Sequence, residues 1–214
     1  MNIVFKEDID NWIQEFNVYE KAIIFGKGPT FKALSKDDEN NTNTCFVCIN
    51  DTINFVKKCD LLACNDIDSF DKIDLKNLKY CSNILIPYHP HKNLKFNSNI
   101  NYNHVIDKIK DYFTGNLIIY NLMSSRKNYP NAINIKLCLS TSQTAFDFIG
   151  RYLKKLKKVD FYGVAMEPKN KDQNFHNIFL VDKRNTYNHN SLLLKYQNQI
   201  KEISNTHNIE YELH

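Results

Sequence analysis

From its amino end, the chain alternates short apolar runs with stretches in which apolar residues recur every three or four positions. The runs predict strands at 22–25, 45–49, 61–64, 84–87, 117–121, 159–162 and 209–213. The periodic stretches predict helices at 8–16, 30–34, 52–57, 106–113, 142–156 and 191–204. Alternation of this kind is the signature of an α/β fold with a mainly parallel sheet flanked by helices, here in one domain spanning 1–214. The helix from Ser142 is the clearest, with Phe146, Ile149, Tyr152, Leu153 and Leu156 along one face. The lysines at its end (Lys154, Lys155, Lys157 and Lys158) complement the helix dipole and solvate the open face.

Two stretches break the alternation. Segments 87–103 and 167–188 are long, polar and rich in Asn, and loops of this length in a compact domain are usually lids or mobile insertions. No internal repeat and no interdomain linker is visible.

Composition narrows the function classes. A hydrophobic fraction of 43% over 214 residues is enough for one substantial core. The net charge of +4 is scattered, unlike the clustered basic footprint of a nucleic-acid binder, so no nucleic acid is expected as partner. No apolar stretch approaches the ~20 residues that span a bilayer, and the amino end turns acidic too early for a signal peptide, so a cytoplasmic protein without a transmembrane segment is expected. The six cysteines sit mostly inside apolar runs and read as buried free thiols. Cys45 and Cys48 have zinc-ligand spacing, but alternation along a strand puts residues three apart on opposite faces.

Candidate chemistry gathers at the ends of the predicted strands. The first long apolar run breaks at Gly26-Lys27-Gly28-Pro29 and leads into Thr30. A Gly-x-Gly turn at the carboxyl end of a strand lets backbone approach a ligand and aims free N–H groups at an anion; it can equally be a tight strand-to-helix turn and no more. The next two strands run out at Asn50 and Asn65. Amides there lie where open sheets bind ligands, and an amide suits a nucleobase edge or a ribose. Asp66 and Asp68 form an Asp-x-Asp pair of the type that holds a divalent cation on a nucleoside diphosphate, although Asp68 also reads as a helix cap. His89 and His91 lie close together in the first polar stretch, with no carboxylate near them in sequence to complete a metal site.

These residues carry a resemblance. Gly26-Lys27-Gly28-Pro29-Thr30-Phe31 resembles the GNGPSL nucleotide-binding turn of bacterial sialyltransferases of glycosyltransferase family 42. Asn50 and Asn65 fall where that family has asparagines contacting a CMP donor. Thr141-Ser142-Gln143 is similar to its TSG segment, the 157–164 stretch KKVDFYGV to its KEIYLSGI strand, and His189 holds the place of its general-base histidine. The likeness runs over most of the chain and implies a Rossmann-like domain, a variant of the GT-A fold. The implied reaction is inverting, metal-independent and free of cofactors, moving a sugar from a CMP-sugar donor to a glycan or small-molecule acceptor. His189 would be the base. Gly26, Lys27, Gly28, Thr30, Thr141, Ser142, Gly163 and Tyr187 would join Asn50 and Asn65 in holding the nucleotide. The sequence departs from the family in several places: Lys27 replaces asparagine, Gln143 replaces glycine, Leu139 and Ser140 stand where an arginine is expected, and VAME follows Gly163 instead of IDFY. Two alternatives stay open, a pterin diphosphokinase-like enzyme with a similar Gly-x-Gly-Pro-Ser turn and a non-catalytic nucleotide-binding module. Homo-oligomerisation is left open as well.

Overall fold

The structure is a computed structural model of the chain. It describes residues 1–26, 42–93, 95, 97, 99–122, 129–135, 138, 140–164 and 189–214, with residues 15 and 189–193 described in backbone only. The predicted helix at 30–34 and the stretch 167–188 lie outside the described residues.

A nine-stranded parallel sheet runs through the molecule. Its strands are β1 (Asn2–Val4), β2 (Lys21–Phe25), β3 (Thr44–Ile49), β4 (Leu61–Ala63), β5 (Asn83–Pro87), β6 (Asn116–Asn121), β7 (Ile133–Asn134), β8 (Lys158–Tyr162) and β9 (Glu210–Leu213). Their order across the sheet is β1-β6-β5-β4-β3-β2-β8-β9, and β7 also pairs with β6. Every pairing between these strands is parallel. The α/β expectation holds, and all seven predicted strands are present. The two unforeseen strands, of three and two residues, are too short to display a period. Both lie along β6, β1 beside its first half and β7 beside its end.

Parallel sheets are covered on both faces, so their strands are apolar throughout. In β3, Cys45, Val47 and Ile49 enter one core while Phe46 and Cys48 enter the other. Cys45 and Cys48 therefore sit on opposite faces, as strand alternation requires, and all six cysteines are free and buried. The first core is covered by α1 (Ile9–Phe16), α3 (Thr141–Tyr152) and α4 (His189–His207). The second lies under α2 (Tyr102–Ile109) and three short 3-10 helices at Asn50–Phe55, Ile67–Asp71 and Leu75–Tyr80.

Several boundaries move from their predicted places for local reasons. The segment after β3 closes as a 3-10 turn instead of a helix at 52–57, because Thr52 stitches it to the strand ends. The Thr52 hydroxyl accepts from the Ile49 N–H (2.9 Å) and faces the carbonyls of Ile49 (3.0 Å) and Phe25 (3.2 Å). α2 starts earlier than 106 because Asn101 caps it, accepting from the Asn103 N–H. α3 stops at Tyr152, and Lys154 beyond its end donates to the Arg151 carbonyl (2.6 Å). Lys157 pairs with Glu20 and Lys158 with Glu212, so these lysines are spent on acidic neighbours.

α3 and α4 are joined by one buried carboxylate. Asp147 takes His207 Nε2 at 2.8 Å on one oxygen and Arg151 at 3.2 Å on the other. Gly150 makes room for the imidazole, since a Cβ there would lie 2.7 Å from the His207 ring. Asp147→Ala leaves the Arg151 guanidinium and the His207 ring without their shared acceptor and should cost about 3 kcal/mol, read as a lowered midpoint in urea denaturation; a loss below about 1 kcal/mol would make the pair dispensable.

Candidate functional site

The chain builds outward from β2 through β3, β4 and β5 to β6, then returns to place β8 on the other side of β2 and finishes at β9. The order therefore reverses between β2 and β8. In open parallel sheets ligands bind in the crevice at such a reversal, outside the carboxyl ends of the strands. Gly26 follows β2 and Gly163 follows β8, so two of the residues singled out in the sequence meet there.

Their contact is close. The Gly26 N–H donates to the Tyr162 carbonyl at 2.7 Å. A Cβ on Gly26 would lie 2.5 Å from the Gly163 carbonyl oxygen and 3.0 Å from Val164. Gly163 has φ of 65°, the left-handed region that glycine adopts without strain. Both glycines are thus required by backbone geometry before any ligand is considered. Lys27, Gly28 and Thr30 lie outside the described residues, as does Tyr187. His189 opens α4, and its side chain lies outside the described part.

Asn50 and Asn65 do end neighbouring strands at this edge, but their amides are already engaged. Asn50 takes a left-handed φ of 55° and accepts from the Ser69 hydroxyl at 3.1 Å. Asn65 is buried and accepts from the Tyr120 hydroxyl at 2.6 Å, with its Nδ2 3.5 Å from Thr144 Oγ1. An amide has two donors and two acceptor positions, so one of each is left on Asn65. Burial pushes the Tyr120 phenol far up, which keeps it a donor to Asn65.

Thr144 belongs to the amino end of α3, and that end comes to the carboxyl edge of β4. Ser140 is its cap: its Oγ accepts from the Gln143 N–H (3.4 Å), lies 2.9 Å from Ser142 Oγ and donates to Gln143 Oε1 (3.1 Å). Thr141, Ser142 and Gln143 are all buried. The Gln143 amide donates to the Tyr196 carbonyl in α4 at 2.9 Å. Ser140 and Gln143 carry a signal the sequence reading passed over, the Ser-x-x-Gln spacing of a helix start. No sequence signal marks Tyr120, because its role depends on β6 and β4 being two strands apart.

The Asp-x-Asp pair is divided. Asp68 lies inside the 3-10 helix 67–71 instead of capping it, and its carboxylate accepts from the Asn93 N–H. Asp66 turns to His91, with Oδ1 3.7 Å from Nδ1. Burial, helped by the nearby Asp68 charge, pushes the Asp66 carboxyl up to about 6, and burial lowers His91. A carboxylate thus does stand beside His91, supplied from the neighbouring strand. The described part of 87–103 is tied down by the same pairing: His91 N–H donates to the Asn65 carbonyl (2.9 Å) and Ile67 N–H to the His91 carbonyl (2.8 Å).

No protein-family model matches the chain, and no curated protein or solved structure does. Among the described residues no helix is long and apolar enough to cross a membrane.

The glycine contact generates a direct test. Gly26→Ala forces its methyl against a backbone carbonyl that cannot rotate away and should destabilise the fold by about 1–3 kcal/mol, measured by thermal or urea unfolding. A neutral substitution would show that β2 and β8 can part at their ends.

Proposed function

We propose that the protein binds a nucleotide-activated sugar at the β2–β8 reversal and transfers the sugar with inversion and without a metal, a CMP-sugar being the donor. The observation that carries the reading is the glycine-to-glycine contact at the carboxyl edge of a parallel sheet, directly before the Lys27-Gly28-Pro29-Thr30 stretch, whose sequence predicts a turn. Backbone N–H groups in such a turn would hold the phosphate, with the buried amino end of α3 as a second dipole source. In inverting transfer a base removes the proton of the acceptor hydroxyl as its oxygen forms the bond to the anomeric carbon. The bond from that carbon to the nucleotide phosphate breaks, and the monophosphate leaves with the electron pair. His189 is assigned the base role on its place in the sequence, histidine being the side chain whose unperturbed pKa lies nearest neutrality.

A second reading, nucleotide binding without turnover, is favoured by one observation. Gln143, where the resembling family has glycine, is buried and bonded into α4, which fills space at the helix start that a glycine would leave open.

A thermal-shift panel separates the readings. A cytidine nucleotide at about a hundred times its Kd should stabilise the protein by about 2.7 kcal/mol, and Gly28→Val should abolish that shift with the fold intact. A response to ATP but not to cytidine nucleotides would remove the donor assignment. With a donor in hand, His189→Ala should lower kcat by about 10²–10⁴-fold while leaving donor affinity unchanged. Donor turnover should survive EDTA, because the leaving phosphate is held by N–H and hydroxyl groups. Stabilisation by a cytidine nucleotide with no turnover in any acceptor mixture would establish the binding-only reading.

A further inference from the structure

Besides the Asp147–His207 pair, which Arg151 completes, two places among the described residues bring carboxylates and histidine together. At the first, Asp160 on β8 meets Glu212 and His214 at the chain's end. That site already holds its cations: Lys21 lies 2.7 Å from Asp160, and Lys158 lies 3.3 Å from Asp160 and 2.7 Å from Glu212. Burial works against the charge of Asp160, but the two lysines outweigh it and hold the carboxyl below its usual range. A metal ion would have to displace an ammonium group, so this cluster is complete without one.

The second is the Asp66–His91 pair, which differs in three respects. First, Asp66 Oδ1 is buried without a hydrogen-bond partner and the group beside it is the His91 ring, whereas Asp160 Oδ1, which also lacks a hydrogen bond, has the Lys158 ammonium at 3.3 Å; a buried oxygen placed like that of Asp66 is costly unless something else satisfies it. Second, the separation is wrong for a hydrogen bond but right for shared coordination. At 3.7 Å between Oδ1 and Nδ1, bonds of about 2.1 Å to a common ion would meet at roughly 120°, an opened tetrahedral angle. An octahedral ion would need about 90° and a closer approach of the two atoms. Third, the pair is set by backbone and not by flexible side chains alone, because Asp66 and His91 are partners in a parallel bridge just past β4 and β5.

We infer that Asp66 and His91 form a site for a borderline transition-metal ion of the Zn²⁺ or Co²⁺ class, with the remaining positions taken by water or by an oxygen of a bound molecule. The donor set decides the class of ion: one carboxylate and one imidazole suit zinc and its neighbours, while Mg²⁺ prefers all-oxygen octahedral surroundings. Two protein ligands leave two open positions, the arrangement of a site that meets a ligand and not of a closed structural one. The Asp68 carboxylate stands close enough to add to the negative field around Asp66, while Lys72 opposes it. The site lies three strand spacings, about 14 Å, from the β2–β8 reversal. It is therefore apart from that reversal and does not depend on the glycosyl-transfer reading.

Titration of the purified protein with Co²⁺, followed by visible absorption and checked by equilibrium dialysis with Zn²⁺, tests the site. Wild type should take up one ion with a spectrum of oxygen and nitrogen ligands and no thiolate-to-cobalt charge-transfer band. Asp66→Asn and His91→Gln should each weaken uptake by at least about tenfold, the loss that even an outer partner of a ligand causes. Asp68→Asn and His214→Gln should keep it. Melting curves on each variant confirm folding, and either Asp66→Asn or His91→Gln alone suffices if the other does not fold. Absence of saturable uptake, a thiolate band, uptake unchanged in both Asp66→Asn and His91→Gln, or loss of uptake in His214→Gln would each overturn the assignment.

Discussion

The pairing of β2 with β8 is the constraint on which the rest of the molecule depends. It joins the wing that runs from β3 to β6 to the short wing that ends at β9. The join closes at its carboxyl end through the Gly26–Tyr162 hydrogen bond and the backbone contact with Gly163. Any side chain on Gly26 would wedge the two wings apart where an open sheet offers its ligand crevice. One contact thus serves both the integrity of the sheet and the shape of the site.

Much of this architecture was legible because the central strands, β2 to β6, are buried on both faces. Runs such as CFVCI have no polar position to blur them, and they appear as strands with a shift of one residue at most at either end. The connections were less legible. The segments after β3 and β4 wind as 3-10 helices whose form depends on side chains reaching across strands, as Thr52 does to Phe25. Asn101 and Ser140 show the other kind of miss, caps visible in the sequence that apolar periodicity alone does not mark.

The candidate site was legible at the level of position and not of partnership. Strand-end reasoning put Gly26, Asn50 and Asn65 at one edge of the sheet, and they are there, with Gly163, which the resemblance singled out, beside Gly26. It did not foresee that the Asn65 amide would face Tyr120 and Thr144, or that Asp66 would face His91 instead of Asp68. Both pairings are set by strand order, so neighbours in the chain say little about them. Asn65 and Asp66, adjacent in sequence, point to different partners because successive residues leaving a strand alternate in direction.

The topology also fixes an order of events as the chain is made. Asn2 at the start of β1 bonds Asn116 across 114 residues, and Glu20 just before β2 meets Lys157 across 137. The central wing from β2 to β6 can grow by successive neighbours, whereas β1 must wait for β6 and the open side of β2 must wait for β8. High contact order of this kind slows folding and leaves strand edges exposed during synthesis. The unpaired flank of β2, an apolar strand of Ala, Ile, Ile and Phe, is the surface a nascent chain of this protein most needs to keep from other chains until its own carboxyl third arrives.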